Sequence, residues 1–569
     1  MPNTVYNALT GRDPGYFFGE YKGEYLIQRF NDKRIRRKQR KMRKNRNRNK
    51  VSFKNRNMIA RKIMYSKPTI RLINALKQKE PTELNQNVIA IGGTGSGKTF
   101  NLLMAQILTI GQLAGDNMVV VDTKGEIFNN TSKFLEEQGY KVHVLSFQRQ
   151  GLEKSARFNP LWFVNTFIKK FGEEDRAKHQ KVNVEAFVAS LVQTIIDNTT
   201  NPNATGDTFW RDAESGFHKA IIHYAYENFP KEEFNLGSIV RFGLKLAENE
   251  ELANFIFDQL DEESPAYNAY ASFRTSKDKT RDGVLAGFGA RMDLFKMADI
   301  TDLTSANDID FFKFLEEKSV LYIFMEENPT YSLLPALFFS LFFDFALRYA
   351  DSYDEKLPRS MRFILDEFAN MGKISQFESN ISVIRSRGMS AFMVLQYLPQ
   401  LEDKYGKTGS RAIIAGVNTI LFLATDDIET SEYISKRLGK KTQKVVYQSQ
   451  TKKGMFAPEQ PATIAYEPRD LLFPSEVIDF PRTSILVMQS GGKRPAIINK
   501  VGFPEIWGEN ITPVKWSDEI PDRTDFYRPM SFRKFFEEKQ RELDEFKAQA
   551  KNQAFSESGE EKDPFAFSL

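Results

Sequence analysis

Apolar residues along this chain keep two rhythms that alternate. Short, continuous runs rich in β-branched residues stand at Val88 to Ile91, Met118 to Val121, Val142 to Phe147, Val320 to Met325, Arg362 to Asp366, Ala391 to Leu395 and Thr419 to Ala424. Runs of this length and continuity predict strands buried on both faces. Between them the period changes to that of a helix. Leu102, Leu103, Ile107 and Leu108 recur at helical spacing, a helix is predicted from Glu126 to Gln138, and Leu333 to Tyr349 forms a long apolar helix. Strand and helix in alternation predict a mostly parallel α/β sheet, with ligand groups gathered at the carboxyl ends of its strands. A last strand pair, Ser484 to Gln489 and Ala496 to Lys500, is joined by a glycine turn at Gly491 and Gly492.

The alternation stops from about Asn165 to Leu315. Charged, helix-periodic segments replace it, clearest at Val184 to Ile196 and Phe209 to Tyr226, and no strand is predicted there. An all-α insertion between strands of one sheet follows. The chain then divides into a basic arm (1–62), a first part of the sheet domain (63–164), the insertion (165–315), a second part of the sheet domain (316–515) and a charged helical tail (516–569). On that tail Phe532, Phe535, Phe536, Leu543 and Phe546 share one helix face before the acidic ending ESGEEKDPFAFSL. The face either packs on the protein's own domain or docks a partner.

Composition narrows the picture in three ways. At 569 residues the chain exceeds one core, which predicts two or three domains. With no cysteine, disulfides and cysteine-ligated zinc are excluded, and the four histidines lack metal-site spacing. The amino terminus lacks the basic and apolar regions of a signal peptide, and the most apolar run, Leu333 to Leu347, carries Pro335 and Asp344, so it reads as a buried core helix rather than a membrane span. Charge is mild in total and uneven in place. Lys33 to Lys50 holds twelve Lys or Arg residues and no acid. Such a block repels itself and waits for a polyanion. Half of its charges could supply roughly 6 kcal/mol of adsorption to an anionic leaflet, and on DNA each neutralised phosphate would add about 0.9 to the salt slope. Nucleic acid, an anionic membrane surface and a solvated tail all remain open.

The chemistry centres on NVIAIGGTGSGKTF, Asn87 to Phe100. Gly92, Gly93, Thr94, Gly95, Ser96, Gly97, Lys98 and Thr99 match the phosphate-cradling pattern G-x-x-x-x-G-K-[ST] between a strand and a helix, where backbone N–H groups converge on an anion. Lys98 is placed to reach β- and γ-phosphates, and the Thr99 hydroxyl to ligate Mg2+. The later strand RFILDE ends in Asp366 and Glu367. Opposite a phosphate loop, Asp366 would hold magnesium through water and Glu367 would orient or deprotonate the attacking water. Asp122, at the end of the second strand, either lies near the phosphates or caps the following turn. Gln396 ends the strand Ala391 to Leu395 and can sense a γ-phosphate. Arg385 or Arg387 could supply charge to a neighbouring subunit's nucleotide, a surface or DNA contact being the alternative.

In this order, IGGTGSGKTF, VVVDTKGEI, RFILDEFANMGKI, SVIRSRGMSAFMVLQYLPQLEDKYG and VMQSGGKRPAI resemble the TraG-like family of type IV secretion coupling proteins. The resemblance covers about Asn87 to Val501. It implies a RecA-like P-loop NTPase domain of the FtsK-related class with an inserted all-α domain, working as a homo-hexameric ATPase on ATP and Mg2+. It implies Lys98 and Thr99 in the first nucleotide motif, Asp366 and Glu367 in the second, Gln396 in the third and Arg385 as the intersubunit arginine. The implied task is to receive a relaxase–DNA complex (the relaxosome) and to drive single-stranded DNA through a conjugation channel, with double-stranded DNA and the channel proteins as further partners. Two other tasks fit the same motifs, a nucleotide-gated docking receptor and a soluble DNA translocase. The family carries two transmembrane helices before the phosphate loop, where this chain has the basic block. That departure implies a separate small membrane-anchor protein, and a cytoplasmic chain held peripherally on the inner face of the membrane.

Overall fold

A computed structural model describes residues 86–558 except 166–172, 201–207, 276–277, 327–330, 354, 448–462, 491–494 and 508–510. The basic block, the Gly491–Gly492 turn and the acidic ending lie outside the described residues. Nine strands form one sheet: β1 (Val88–Gly92), β2 (Asn117–Asp122), β3 (Lys141–Ser146), β4 (Ser319–Phe324), β5 (Met361–Leu365), β6 (Met389–Leu395), β7 (Thr419–Ala424), β10 (Ser484–Gln489) and β11 (Ala496–Asn499). Their order is β11-β10-β7-β1-β6-β5-β2-β4-β3. From β7 to β3 every pairing is parallel, while β10 runs antiparallel to both β7 and β11. The mostly parallel α/β sheet read from the apolar runs is therefore the sheet observed. It puts β1, flanked by β6 and β7, at the centre.

Successive side chains on a strand point to opposite faces, and both faces are dry. Ile89, Val119, Val121, Ile323, Phe363, Leu365 and Met393 enter one core, and Val88, Ala90, Met118, Val120, Tyr322, Ile364 and Val394 enter the other. The second core is closed by the helix after the phosphate loop and by the helix Glu126–Glu137. The first is closed by the helix Leu333–Ser352, among the described residues the one helix long and apolar enough to cross a membrane by length and composition. Phe338, Phe339, Phe342, Phe343 and Phe345 on it are fully buried, Phe343 lying 4.3 Å from the Phe363 ring of β5. This is the core helix expected from its Pro and Asp.

Between β3 and β4 the described residues form helices and connecting loops without a strand, with long helices at Glu173–Thr199, Thr208–Asn228, Leu236–Glu248 and Asp278–Arg291. Local capping chemistry sets several starts. The Asn235 side chain accepts the Ser238 N–H, Asn249 accepts that of Leu252, and Ser264 with Pro265 opens the next helix. The insertion does not form a core of its own. Phe187, Leu191 and Phe217 belong to the same buried cluster as Phe338 and Val119, so its packing is continuous with one face of the sheet.

One feature was not expected from the apolar pattern. The hairpin β8 (Lys440–Tyr447) and β9 (Thr463–Asp470) pairs only with itself, and Tyr447, Ile464 and Tyr466 on it are exposed. With water on both faces it has no alternation to read. The carboxyl-terminal segment, in turn, resolves the two readings of the helical tail. Its helix, Arg533–Ser558, packs on the insertion: Phe532 lies 5.0 Å from Phe229, Phe536 5.4 Å from Phe242 and Phe546 5.8 Å from Phe255.

Candidate functional site

The carboxyl ends of β1, β2, β5 and β6 converge, because parallel strands deliver all their ends to one edge. β1 ends at Gly92 and the loop Gly93–Gly97 follows. Gly97 has φ 81°, a left-handed conformation that suits glycine, and a Cβ on Gly92 would stand 2.4 Å from the Ser96 hydroxyl. The Gly93 N–H bonds the Ala424 carbonyl at the end of β7 at 3.1 Å, and the Ser96 N–H bonds the Gly93 carbonyl at 3.2 Å. The helix that leaves the loop opens with a wide π turn at Lys98–Leu103, becomes regular at Met104–Thr109 and widens again at Ile110–Ala114. π turns of this kind recur at functional sites.

Lys98 is buried, and its ammonium donates to the Gly92 carbonyl at 2.5 Å and stands 3.9 Å from Glu367 Oε1. Burial lowers its pKa, with Glu367 and Asp366 acting against that. Asp366 directly follows β5, and Glu367 follows at φ 49° and ψ 48°. A glutamate is rarely found in that left-handed region, and strain of this kind collects at functional sites. The bend turns the Glu367 carboxylate toward Lys98, while Gln396, at the end of β6, donates from Nε2 to Glu367 Oε2 at 3.0 Å. Gln396 is itself set by the Gln400 side chain, which accepts its backbone N–H at 2.9 Å. Asp366 is 5% exposed, and burial, together with the charges of Glu367 and Asp122, pushes its carboxyl up to about 7.

Of the two readings of Asp122, the geometry carries the capping one. Its Oδ2 accepts the Phe128 N–H at 2.8 Å and its Oδ1 the Lys124 N–H at 3.3 Å, at the start of the helix Glu126–Glu137. Both oxygens are committed to backbone, so Asp122 touches the site through its charge, which raises Asp366. Burial pushes Asp122 itself up to about 6.

The donor set suits a nucleotide triphosphate with magnesium. Among the described residues the Ser96 hydroxyl is buried without a hydrogen-bond partner, space for an added Cβ is open at Gly93 and Gly95, and the buried Lys98 ammonium faces the Glu367 carboxylate. Among the described residues no three acidic or histidine side chains converge on one point. Magnesium in phosphate sites is commonly held by one or two protein oxygens plus phosphates and water, which Thr99 and Asp366 can supply.

Arg385 does not belong to this edge. It precedes β6, at the amino end of the strand, so the seven residues of β6 put it roughly 20 Å from Gln396. Arg387 beside it is paired with Asp351 at 2.9 Å, whereas Arg385 has no ion pair or side-chain hydrogen bond among the described residues. Sequence reasoning missed Lys500. Its ammonium donates to the Ser96 carbonyl at 2.8 Å, across a separation of 404 residues that no local pattern marks.

Comparison with known proteins gives a consistent result. Protein VirD4 of Rhizobium radiobacter is 24% identical over 436 residues, covering 73% of this chain and 56% of that protein. The conjugal transfer protein TraG of Rhizobium radiobacter is 23% identical over 417 residues, covering 71% of this chain and 60% of that one. The chain thus spans somewhat more than half the length of the curated relatives it matches. Among solved structures, the bacterial conjugative coupling protein TrwBdeltaN70 in its unbound monoclinic form shares the fold, with a TM-score of 0.52, 15% identity and coverage of 75% of this chain and 86% of that one. The model of the family described as Type IV secretory system Conjugative DNA transfer matches residues 29–546, and the chain belongs to that family.

Proposed function

We propose that this protein is an ATP-driven coupling protein of conjugative DNA transfer, which receives a relaxase–DNA complex and drives single-stranded DNA toward a type IV secretion channel. The observation that carries the motor reading is the set Lys98, Glu367 and Gln396 on one edge of the sheet. A protein that only bound nucleotide would need the loop but not a carboxylate held over it by a strand-end amide.

In this reading loop N–H groups between Thr94 and Thr99, other than that of Ser96, cradle the phosphates, and Lys98 exchanges the Gly92 carbonyl for phosphate oxygens. Thr99 and Asp366 hold Mg2+, Asp366 through water. When bound, Mg2+ would neutralise charge that develops on the phosphates. Glu367 orients the attacking water and takes its proton, and Gln396 fixes the Glu367 carboxylate and reports the γ-phosphate. Asp122 contributes negative charge behind Asp366. Arg385, at the far end of the sheet, is offered to the nucleotide of the next subunit in a homo-hexamer. A subunit arginine placed this way makes hydrolysis depend on assembly.

The test is DNA-stimulated ATP hydrolysis. Lys98→Ala is expected to lose nucleotide affinity, and Glu367→Gln to keep it while turnover falls about 100-fold or more. Equal background activity in all three proteins would instead favour a nucleotide-gated docking receptor. Capture of a relaxase from donor cells separates the coupling protein from a soluble DNA translocase. For the membrane, the reading is a peripheral protein on the inner face, joined to a separate small anchor and helped by the basic block. Fractionation is expected to leave the chain soluble when it is expressed alone and membrane-bound beside the other transfer proteins; tight retention when alone would sink the anchor.

A further inference from the structure

We propose that Lys500, from the antiparallel edge of the sheet, is a further nucleotide-binding residue, whose ammonium supplies a second cation to the phosphates held by the loop. The proposal rests on reading Gly92 to Thr99 as a nucleotide site.

The topology places it there. β10 runs opposite to β7 and β11 opposite to β10, so β11 regains the direction of β1 and releases Lys500 at the edge where the phosphate loop lies. The Lys500 N–H bonds the Thr483 carbonyl at 2.8 Å, which fixes the start of the exit. Three residues later Phe503 is buried with its ring 4.9 Å from that of Phe100, directly after Thr99. Gly502 lies between them, and a Cβ there would stand 2.4 Å from the Phe100 ring. Residues 500–503 are thereby pinned to the first turn of the helix that leaves the loop.

The chemistry of the contact points to an anion. The Lys500 ammonium donates to one neutral acceptor, the Ser96 carbonyl, at 2.8 Å. Among the described residues it has no carboxylate within ion-pair distance, and the charge that acts on it, Arg482, has the same sign. Partial burial without an anion pushes it down to about 8. A neutral donor would tie the loop carbonyl equally well without the penalty of a desolvated charge. Beside it the Ser96 hydroxyl is buried and unpartnered, a second group in the same loop with hydrogen-bonding capacity to spare. A phosphate satisfies the ammonium, and the strand edge delivers that ammonium to the loop from the side opposite Asp366.

The experiment measures the dissociation constant of a fluorescent N-methylanthraniloyl ATP with Mg2+ for the wild type, Lys500→Met, Lys500→Arg and Lys98→Ala, with melting temperatures of the nucleotide-free proteins beside them. The expected result is about tenfold weaker binding by Lys500→Met and recovery to within about threefold of wild type by Lys500→Arg. Wild-type affinity in Lys500→Met, with binding lost in Lys98→Ala, would overturn the role of Lys500 and leave the nucleotide site standing. So would a loss that arginine does not restore and that a lowered melting temperature accompanies. Wild-type affinity in Lys98→Ala would overturn the nucleotide reading, and Lys500 with it.

Discussion

Asp366 shows at the scale of one residue how a ligand site works against the stability of the empty protein. Burial, Glu367 and Asp122 push its carboxyl up to about 7, whereas in an unfolded chain a carboxyl of this type titrates near 3.9. Between those values the folded state keeps a proton that the unfolded state has released. Stability therefore falls as pH rises from about 4 to 7, and above 7 a buried negative charge remains. Asp366→Asn is expected to stabilise the nucleotide-free protein at pH 8 by on the order of 2 kcal/mol, and the gain should shrink toward zero as the pH is lowered to about 4. Chemical denaturation at several pH values reads both. The same variant is expected to lose magnesium-dependent hydrolysis, because the amide cannot supply the charge. Glu367 is the neighbouring case, a residue whose backbone is held in the left-handed region, where strain commonly marks functional sites.

Among the elements, β1 depends on one side chain just before it. Asn87 is fully buried and donates to the Ile381 carbonyl at 2.8 Å and the Gly416 carbonyl at 3.1 Å, while its Oδ1 accepts the Ala391 N–H at 2.9 Å. Three neighbouring segments are thus tied to the amino end of the strand whose other end is the phosphate loop. Asn117, the first residue of β2, does the same, donating to the Phe314 carbonyl at 2.7 Å and accepting the Ser319 N–H at 3.0 Å. Asn87→Ala removes the bonds to the Ile381 and Gly416 carbonyls and to the Ala391 N–H, and should destabilise the fold by about 3 kcal/mol. A lowered denaturation midpoint at an unchanged slope would confirm it; a change under 1 kcal/mol would mean that water replaces the amide. β8 and β9 stand at the other extreme. A two-stranded ribbon with both faces in water is marginal by itself, and its alternation, having no core to face, was invisible in sequence.

Over the whole molecule, a strap from the carboxyl-terminal part joins the sheet to the helical insertion. The Val514 N–H bonds the Asn129 carbonyl at 2.9 Å, and the Trp516 ring lies 4.8 Å from Phe324 and over Gly125 and Gly151, where a Cβ would collide with it. Asp302, in the insertion, then accepts Arg523 at 2.7 Å and the Tyr527 N–H at 2.7 Å, with Arg157 beside it at 3.9 Å. The helix Arg533–Ser558 continues over the insertion. Gly125 follows Asp122, so the strap touches the loop that borders the nucleotide edge and reaches the helices at its other end. Asp302→Ala strands the largely buried Arg523 guanidinium, while Arg157 keeps Asp525, and is expected to cost about 3 kcal/mol. Hydrogen exchange should show protection lost first in residues 514–530; uniform loss across the sheet would mean that the strap is not a separate unit.

Local chemistry determined a large part of this protein. The continuous apolar runs are strands because parallel strands are covered on both faces, and the glycines and Lys98 mark the loop because a phosphate cradle needs backbone N–H groups and a cation within a few residues. Asp366, Glu367 and Gln396 were legible because strand ends in such a sheet share an edge. Tertiary structure alone decided which residues from remote stretches meet there. It chose capping for Asp122, set Arg387 against Asp351, left Arg385 unpaired among the described residues, brought Lys500 to Ser96, and laid the tail on the insertion. Apart from the Asp122 cap, which is local, those outcomes depend on contacts across tens to hundreds of residues, which periodicity and spacing do not encode.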